Sequence, residues 1–108
     1  KLSAALAAGR PVTLPRTASI ADGLLARAVG ELTFAAIRPV VREAVTVSEE
    51  EIARGVKHLH QELGLRVEPS GAVTTAALLA GRIRPAGPTV AVVSGGNVDP
   101  GLFQRLVR

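Results

Sequence analysis

The sequence predicts an α/β fold: a three-layer open parallel sheet with flanking helices, partial, with only two or three strands. Three observations lead there. Short β-branched runs at residues 44–48 and 88–96 alternate with stretches of helical character, the order expected of βα units. The later run, "PTVAVVSGG", carries no polar alternation, as in a central parallel strand covered on both faces. The first run ends on a strong helix-start signal, Ser48. Crossovers in such a sheet are right-handed, and so few strands leave edges that want partners.

Taken in order, "LSAALAAGR" (2–10) is an Ala-rich helix that Gly9 ends. Residues 11–23 hold two prolines and several small polar residues and read as loop. In residues 30–44, Leu32, Ala35, Ala36 and Val40 have near-helical spacing. Pro39 makes any helix there short or kinked. "AVTVS" (44–48) is the first strand. Ser48 with Glu51 three residues on forms a capping box, and Glu49 and Glu50 suit the positive end of the helix. Ile52, Val56, Leu59 and Leu63 then make an apolar stripe, and Gly64 is the stop. "LRVEPSGAV" (65–73) is a short extended piece leading into a helix that Ser70 caps and Gly81 ends. After the second strand, Asp99 as cap and Pro100 in the first turn open a last helix, with Leu102, Phe103, Leu106 and Val107 on its buried side.

Composition bounds the class. The chain has 108 residues, 47% hydrophobic and 20% charged, which fits one globular domain, here the single segment 1–108. Two Phe and no Trp or Tyr leave Ala, Val, Leu and Ile to build the core. The net charge of +4 comes from arginines scattered singly, with no aromatics to stack on bases, so no nucleic-acid partner is expected. No apolar run approaches the roughly 20 residues of a membrane span, so no membrane partner is expected either. The absence of Cys removes disulfides and thiolate metal sites and fits a cytoplasmic protein. The chain begins with Lys1, not Met, which fits a processed chain or a piece of a longer one.

The stretch "VVSGGNVDP" (92–100) is the candidate site. It places Ser94 and two glycines between an apolar run and a helix start, where open parallel sheets bind ligands. Glycines allow a flat ligand to approach the backbone, or they simply turn the chain; spacing alone does not choose. Neither GxGxxG nor GxxxxGK[ST] is present, so no nucleotide-phosphate fingerprint exists. His58 and His60 are two apart on a helix and diverge by about 200°, so no metal site is expected. Ser70 and Ser94 have no histidine placed for a hydrolytic triad.

"TASIADGL" (17–24), "VTVSEEEI" (45–52), "VEPSGA" (67–72) and "VVSGGNVDP" (92–100) occur together in this order. The combination resembles the C-terminal part of the threonine dehydratase and serine racemase family, pyridoxal-phosphate enzymes of the tryptophan-synthase-β fold. The resemblance covers nearly the whole chain and implies the C-terminal half of the large cofactor-binding domain. It implies that Ser94 sets its hydroxyl beside the cofactor's pyridine nitrogen, that Gly95 and Gly96 give the ring room, and that Glu68 approaches the cofactor. Asp22 and Gly23 would form a loop on the cofactor side.

The family's Schiff-base lysine belongs to an N-terminal S-F-K-x-R-G-A motif that this chain does not contain; its lysines are Lys1 and Lys57. No catalytic side chain is therefore assigned here, and the chain alone is expected to be inactive. The implied parent reaction is α,β-elimination of a hydroxy amino acid to ammonia and a 2-oxo acid. The alternatives are a serine racemase piece and a non-catalytic stand-alone α/β association module. The partners implied are the missing N-terminal part, the hydroxy amino-acid substrate and further copies in a homo-oligomer.

Overall fold

A computed structural model describes residues 1–108. It contains five α-helices and one short 3₁₀ turn. The expected sheet is not there: no residue is assigned to a strand, and the structure is all-helical. The chain divides into two compact units.

The first unit comprises residues 1–18 and 25–45. It holds α1 (Leu2–Ala8) and α2 (Glu31–Ile37). Gly9 closes α1 in the left-handed region, φ 67°, as expected of a C-cap glycine. Ala5, Val29 and Phe34 form the buried cluster, with Leu2 and Leu6 against it. The loop between the helices is fastened by Leu14 N–H donating to Arg27 O at 2.9 Å and Arg27 Nε donating to Leu14 O at 2.8 Å. α2 stops at Ile37, two residues short of Pro39; Arg38 keeps helical backbone and donates its N–H to Phe34 O, and Pro39 then has no N–H with which to continue the helix. Its buried face is not the expected one. Leu32 is 89% exposed and Ala35, Ala36 and Val40 are exposed too, whereas Phe34 is buried. One large aromatic side chain outweighs a spacing built largely on alanines.

The second unit comprises residues 19–24 and 46–108. It holds α3 (Glu49–Leu63), α4 (Pro69–Leu79) and α5 (Pro100–Val107), with the 3₁₀ turn Asp22–Leu24. The Ser48 capping box forms in full: Glu51 N–H donates to Ser48 Oγ at 3.2 Å, and Ser48 N–H donates to Glu51 Oε2 at 2.7 Å. Ile52, Val56 and Leu59 are buried, but Leu63, the last residue of the expected stripe, is 62% exposed. Gly64 caps α3 in the left-handed region, φ 66°. α4 begins earlier than expected, with Glu68 rather than Ser70 as its N-cap and Pro69 in its first turn. α5 begins as expected, Asp99 Oδ1 accepting from Leu102 N–H at 2.7 Å. Val56, Leu59, Val67, Ala72, Val98 and Phe103 make the core. Both phenylalanines of the chain are thus core anchors, one in each unit.

The strand expectation fails for a physical reason. β-branched runs favour extended chain, but a strand exists only where a ladder partner pairs with it. Residues 44–48 and 88–96 do not pair with each other or with anything else. Val90 is 88% exposed and Val92 63%. The later segment is held through side groups and turns of α4 instead: Thr74 Oγ1 donates to Val92 O at 2.8 Å, and Glu68 N–H donates to Gly95 O at 3.1 Å. The three-layer parallel architecture and its crossovers go with the sheet.

Candidate functional site

The first turn of α4 is the meeting point of three of the sequence motifs. Gly23 N–H donates to Ser70 Oγ at 2.9 Å, which brings "ADGL" to it. The same N–H also donates to Asp22 Oδ1 at 2.8 Å. Ser70 therefore does not cap its helix; its hydroxyl is taken by a loop 47 residues away. Just upstream, Ile20 N–H donates to Glu49 Oε2 at 2.7 Å, tying the loop to the start of α3.

The glycine pair lies against the same turn. Glu68 N–H holds Gly95 O. The Glu68 carboxylate fills the place that a Cβ on Gly95 would take. A Cβ on Gly96 would lie 2.6 Å from Arg66 O. A Cβ on Gly71 would lie 2.7 Å from Gly95 O and 2.9 Å from Gly95 N. Close packing on the chain itself thus requires glycine at 71 and 96 and favours it at 95. Downstream, Arg66 Nη2 donates to Val98 O at 2.8 Å, and its guanidinium sits 5.7 Å from the Phe103 ring centroid, a cation–π distance. Residues 95–98 are therefore held against residues 66–71, the chain just before α4 and its first turn.

Of the expected site residues, Glu68 and Gly95 are in direct contact, Gly96 is next to Arg66, and Ser94 leads into the pair. Ser94 is exposed and its hydroxyl bonds to nothing in the chain; the half-buried Glu68 carboxylate makes neither a hydrogen bond nor an ion pair. Asp22 is exposed and bonds its neighbour's N–H. Lys57 is engaged elsewhere, its Nζ donating to Arg108 O at 2.7 Å. His60 packs edge-on against Phe103, ring centroids 5.2 Å apart, with its Nδ1 buried and without a hydrogen-bond partner. Arg66, Ser70 and Gly71 escaped the sequence reading as parts of this cluster, because each acts on a residue far away in the chain.

The two perturbed carboxyls lie apart from this cluster, at the start of α3. Glu51 is held below the usual carboxylate range by the Ser48 backbone N–H and then by Arg82, whose Nε and Nη2 donate to Oε1 at 3.1 and 2.8 Å. Glu50 is lowered by its own backbone N–H and then by the Ser48 hydroxyl.

Chemically, the cluster offers a free hydroxyl donor and acceptor, a gripped backbone without side chains, and an unpaired carboxylate beside it. Those groups fit pyridoxal phosphate: a hydroxyl can bond the ring nitrogen, while the room that Gly95 and Gly96 leave is taken up by Glu68 and Arg66 of the chain itself.

Comparison with known proteins points the same way. Residues 1–95 match the model of the pyridoxal-phosphate dependent enzyme family. The chain is 46% identical over 92 residues to an L-threonine ammonia-lyase of Geobacter sulfurreducens, spanning 84% of this chain and 23% of that protein. It is 43% identical over 101 residues to a serine racemase of Arabidopsis thaliana, spanning 87% of this chain and 30% of that protein. Among solved structures, maize serine racemase superposes with a TM-score of 0.81 at 35% identity, over 96% of this chain and 34% of that one. The processed form of threonine deaminase isoform 2 from Solanum lycopersicum gives 0.83 at 28% identity, over 97% and 32%. The chain spans about a quarter to a third of the length of these relatives. With the family model covering most of its length, the chain belongs to the pyridoxal-phosphate dependent enzymes.

Proposed function

We propose that this chain forms part of the cofactor-binding domain of a threonine/serine ammonia-lyase. The whole enzyme would carry out α,β-elimination of a hydroxy amino acid, releasing ammonia and a 2-oxo acid. The observation that carries the reading is the unbonded Ser94 hydroxyl leading into a glycine pair held by residues 66–71. Pyridoxal phosphate, when bound, supplies the electron sink for the elimination. Ser94 would hold the pyridine nitrogen by donating its hydroxyl hydrogen. A hydroxyl leaves that nitrogen uncharged, whereas a carboxylate would favour its protonated form. The weaker sink suits a reaction whose leaving group departs promptly. Gly95 and Gly96, packed against Glu68 and Arg66, would seat the segment that carries Ser94, and the Glu68 carboxylate would face the cofactor side.

The substrate's own contacts and the cofactor's lysine would come from the rest of the longer enzyme, since the lysine motif is absent here. The similarity to serine racemases supports a second reading in which the same site inverts serine. The test uses the full-length polypeptide that contains this segment, assayed on L-threonine and L-serine for ammonia and 2-oxo acid, and on L-serine for D-serine. Ser94→Ala should weaken cofactor retention and turnover more than it weakens folding. Unchanged turnover and cofactor affinity in that variant would sink the assignment. D-serine as the main product would put the racemase first.

A further inference from the structure

We infer that Gly71 is a positioning residue for the cofactor site: its missing side chain seats Gly95 against α4 and thereby fixes where Ser94 presents its hydroxyl. The inference rests on the reading of Ser94 given above.

Gly71 lies inside α4, is buried, and has no positive φ, so its conformation does not call for glycine. In a helix interior alanine is the better residue. The reason for glycine must be what a side chain would meet. Its Cβ would fall 2.7 Å from Gly95 O, 2.9 Å from Gly95 N and 3.2 Å from Val67 Cγ1. The two closest atoms are backbone and cannot swing aside as the end of a side chain can.

Gly95 has little room to yield. Its carbonyl accepts from Glu68 N–H on the same turn, and the Glu68 carboxylate fills its Cβ place. Gly96 is close against Arg66 O, 2.6 Å from where its own Cβ would lie. A methyl at 71 would have to drive Gly95 back by about 0.5–0.7 Å to reach ordinary contact at 3.4 Å. Ser94 is bonded directly to Gly95, so its hydroxyl moves too. A displacement of roughly 0.5 Å is the tolerance of a preorganised site.

The test uses the full-length holoenzyme and its apo form, with Gly71→Ala, Ser94→Ala and Ile52→Val compared with wild type. Ile52 is buried at the start of α3, beside Glu51, whose partner Arg82 follows the far end of α4. Two quantities are read: the dissociation constant and absorbance spectrum of pyridoxal phosphate, and the thermal midpoint of the apoenzyme. We expect Gly71→Ala and Ser94→Ala each to weaken cofactor binding by roughly 3- to 10-fold, about the value of one hydrogen bond, and to shift the bound-cofactor band. Ile52→Val should lower the midpoint and leave the cofactor constant and spectrum unchanged.

If Ser94→Ala weakens the cofactor and Gly71→Ala does not, Gly71 only packs and the inference is overturned. If Ser94→Ala itself changes neither constant nor spectrum, the reading of Ser94 fails and takes the inference with it. If all three variants lose cofactor in proportion to their midpoints, the effect is stability and the inference is overturned. Should Gly71→Ala fail to fold, Gly96→Ala collides with Arg66 O on the other side of the same seat. An unchanged cofactor constant in Gly96→Ala would overturn the inference as well.

Discussion

A close approach of α3 and α4 in the second unit makes a stability prediction whose sign has to be worked out. Gly55 on α3 faces α4, and a Cβ there would lie 3.1 Å from Ala72 O, 3.2 Å from Ala76 Cβ and 3.2 Å from Ala76 N. Two terms favour Gly55→Ala. Alanine gains about 1 kcal/mol of helix propensity over glycine, and burying one methyl adds about 0.8 kcal/mol. Against them stands overpacking, typically 1–3 kcal/mol. The structure places the cost at the upper end. Two of the three atoms met are α4 backbone, and Ala72 and Ala76 are fully enclosed. α4 is also held at both ends, by Glu68 to Gly95 and by Arg82 to Glu51. Retreat of α4 would open gaps at Val67 and Ala72 in the core, and a 0.5–1 Å gap forfeits a quarter to a half of each contact. The net effect expected is a loss of about 1 kcal/mol, or about 4–8 °C in Tm for a unit of this size. Gly64→Ala is the companion. Nothing lies within 4 Å of its Cβ, but φ is 66°, and the left-handed conformation alone costs a side chain about 1–2 kcal/mol. The sites do not share a neighbour, so the double variant should lose the sum. Urea and thermal unfolding followed by circular dichroism at 222 nm measure both. An unchanged or raised Tm for Gly55→Ala would refute the close-approach argument; so would strong non-additivity.

What could be read from the sequence divides by range. The capping box at Ser48 and the Asp99–Pro100 start of α5 were legible because each is complete within four residues of chain. The sequence points to Ser70 as the α4 cap, whereas the helix starts earlier, with Pro69 in its first turn and Glu68 as N-cap. The Ser70 hydroxyl is taken by Gly23, and no local rule reveals a partner so remote. The valine runs read as strands, but a ladder is a property of two segments, and here neither run pairs. The stripe on α3 holds for Ile52, Val56 and Leu59, which are buried, and ends before Leu63. At the site, periodicity said nothing of Glu68 meeting Gly95; only the resemblance to a family named both. Gly71 stands in the "VEPSGA" motif, but nothing local gives its role, because a glycine inside a helix shows its purpose only through what approaches it.

The remaining predictions concern acid, cofactor and association. Glu51 and Glu50 have folded values below the ordinary 4.5, so they stabilise the fold above that value and lose their effect as pH falls through the lowered ones. The urea midpoint should therefore drop below about pH 4.5, and Glu51→Gln should flatten that slope; an acid-independent midpoint would refute it. Pyridoxal phosphate added to this chain alone should leave no absorbance band after dialysis, since Lys57 is outside any cofactor motif and bonded to Arg108 O. A persistent band that Lys57→Ala removes would overturn that. The last prediction follows from the unpaired segment before Ser94. Val90 and Val92 are largely exposed, and among residues 88–94 the Val92 carbonyl, bonded to Thr74 Oγ1, is the main-chain group that finds a partner. An apolar segment with open main-chain groups offers a place for pairing with another chain. The α3 stripe cannot serve, because Ile52, Val56 and Leu59 are already covered. The 108-residue chain should thus associate through residues 90–93, with a sedimentation coefficient that rises across a concentration series. Val92→Lys should shift the population back toward the 11.1 kDa monomer, because a charge in an unpaired edge opposes pairing. A single 11.1 kDa species of the wild-type chain at high micromolar concentration would show that this segment attracts no partner, and the self-sufficient module would then displace the enzyme-segment reading.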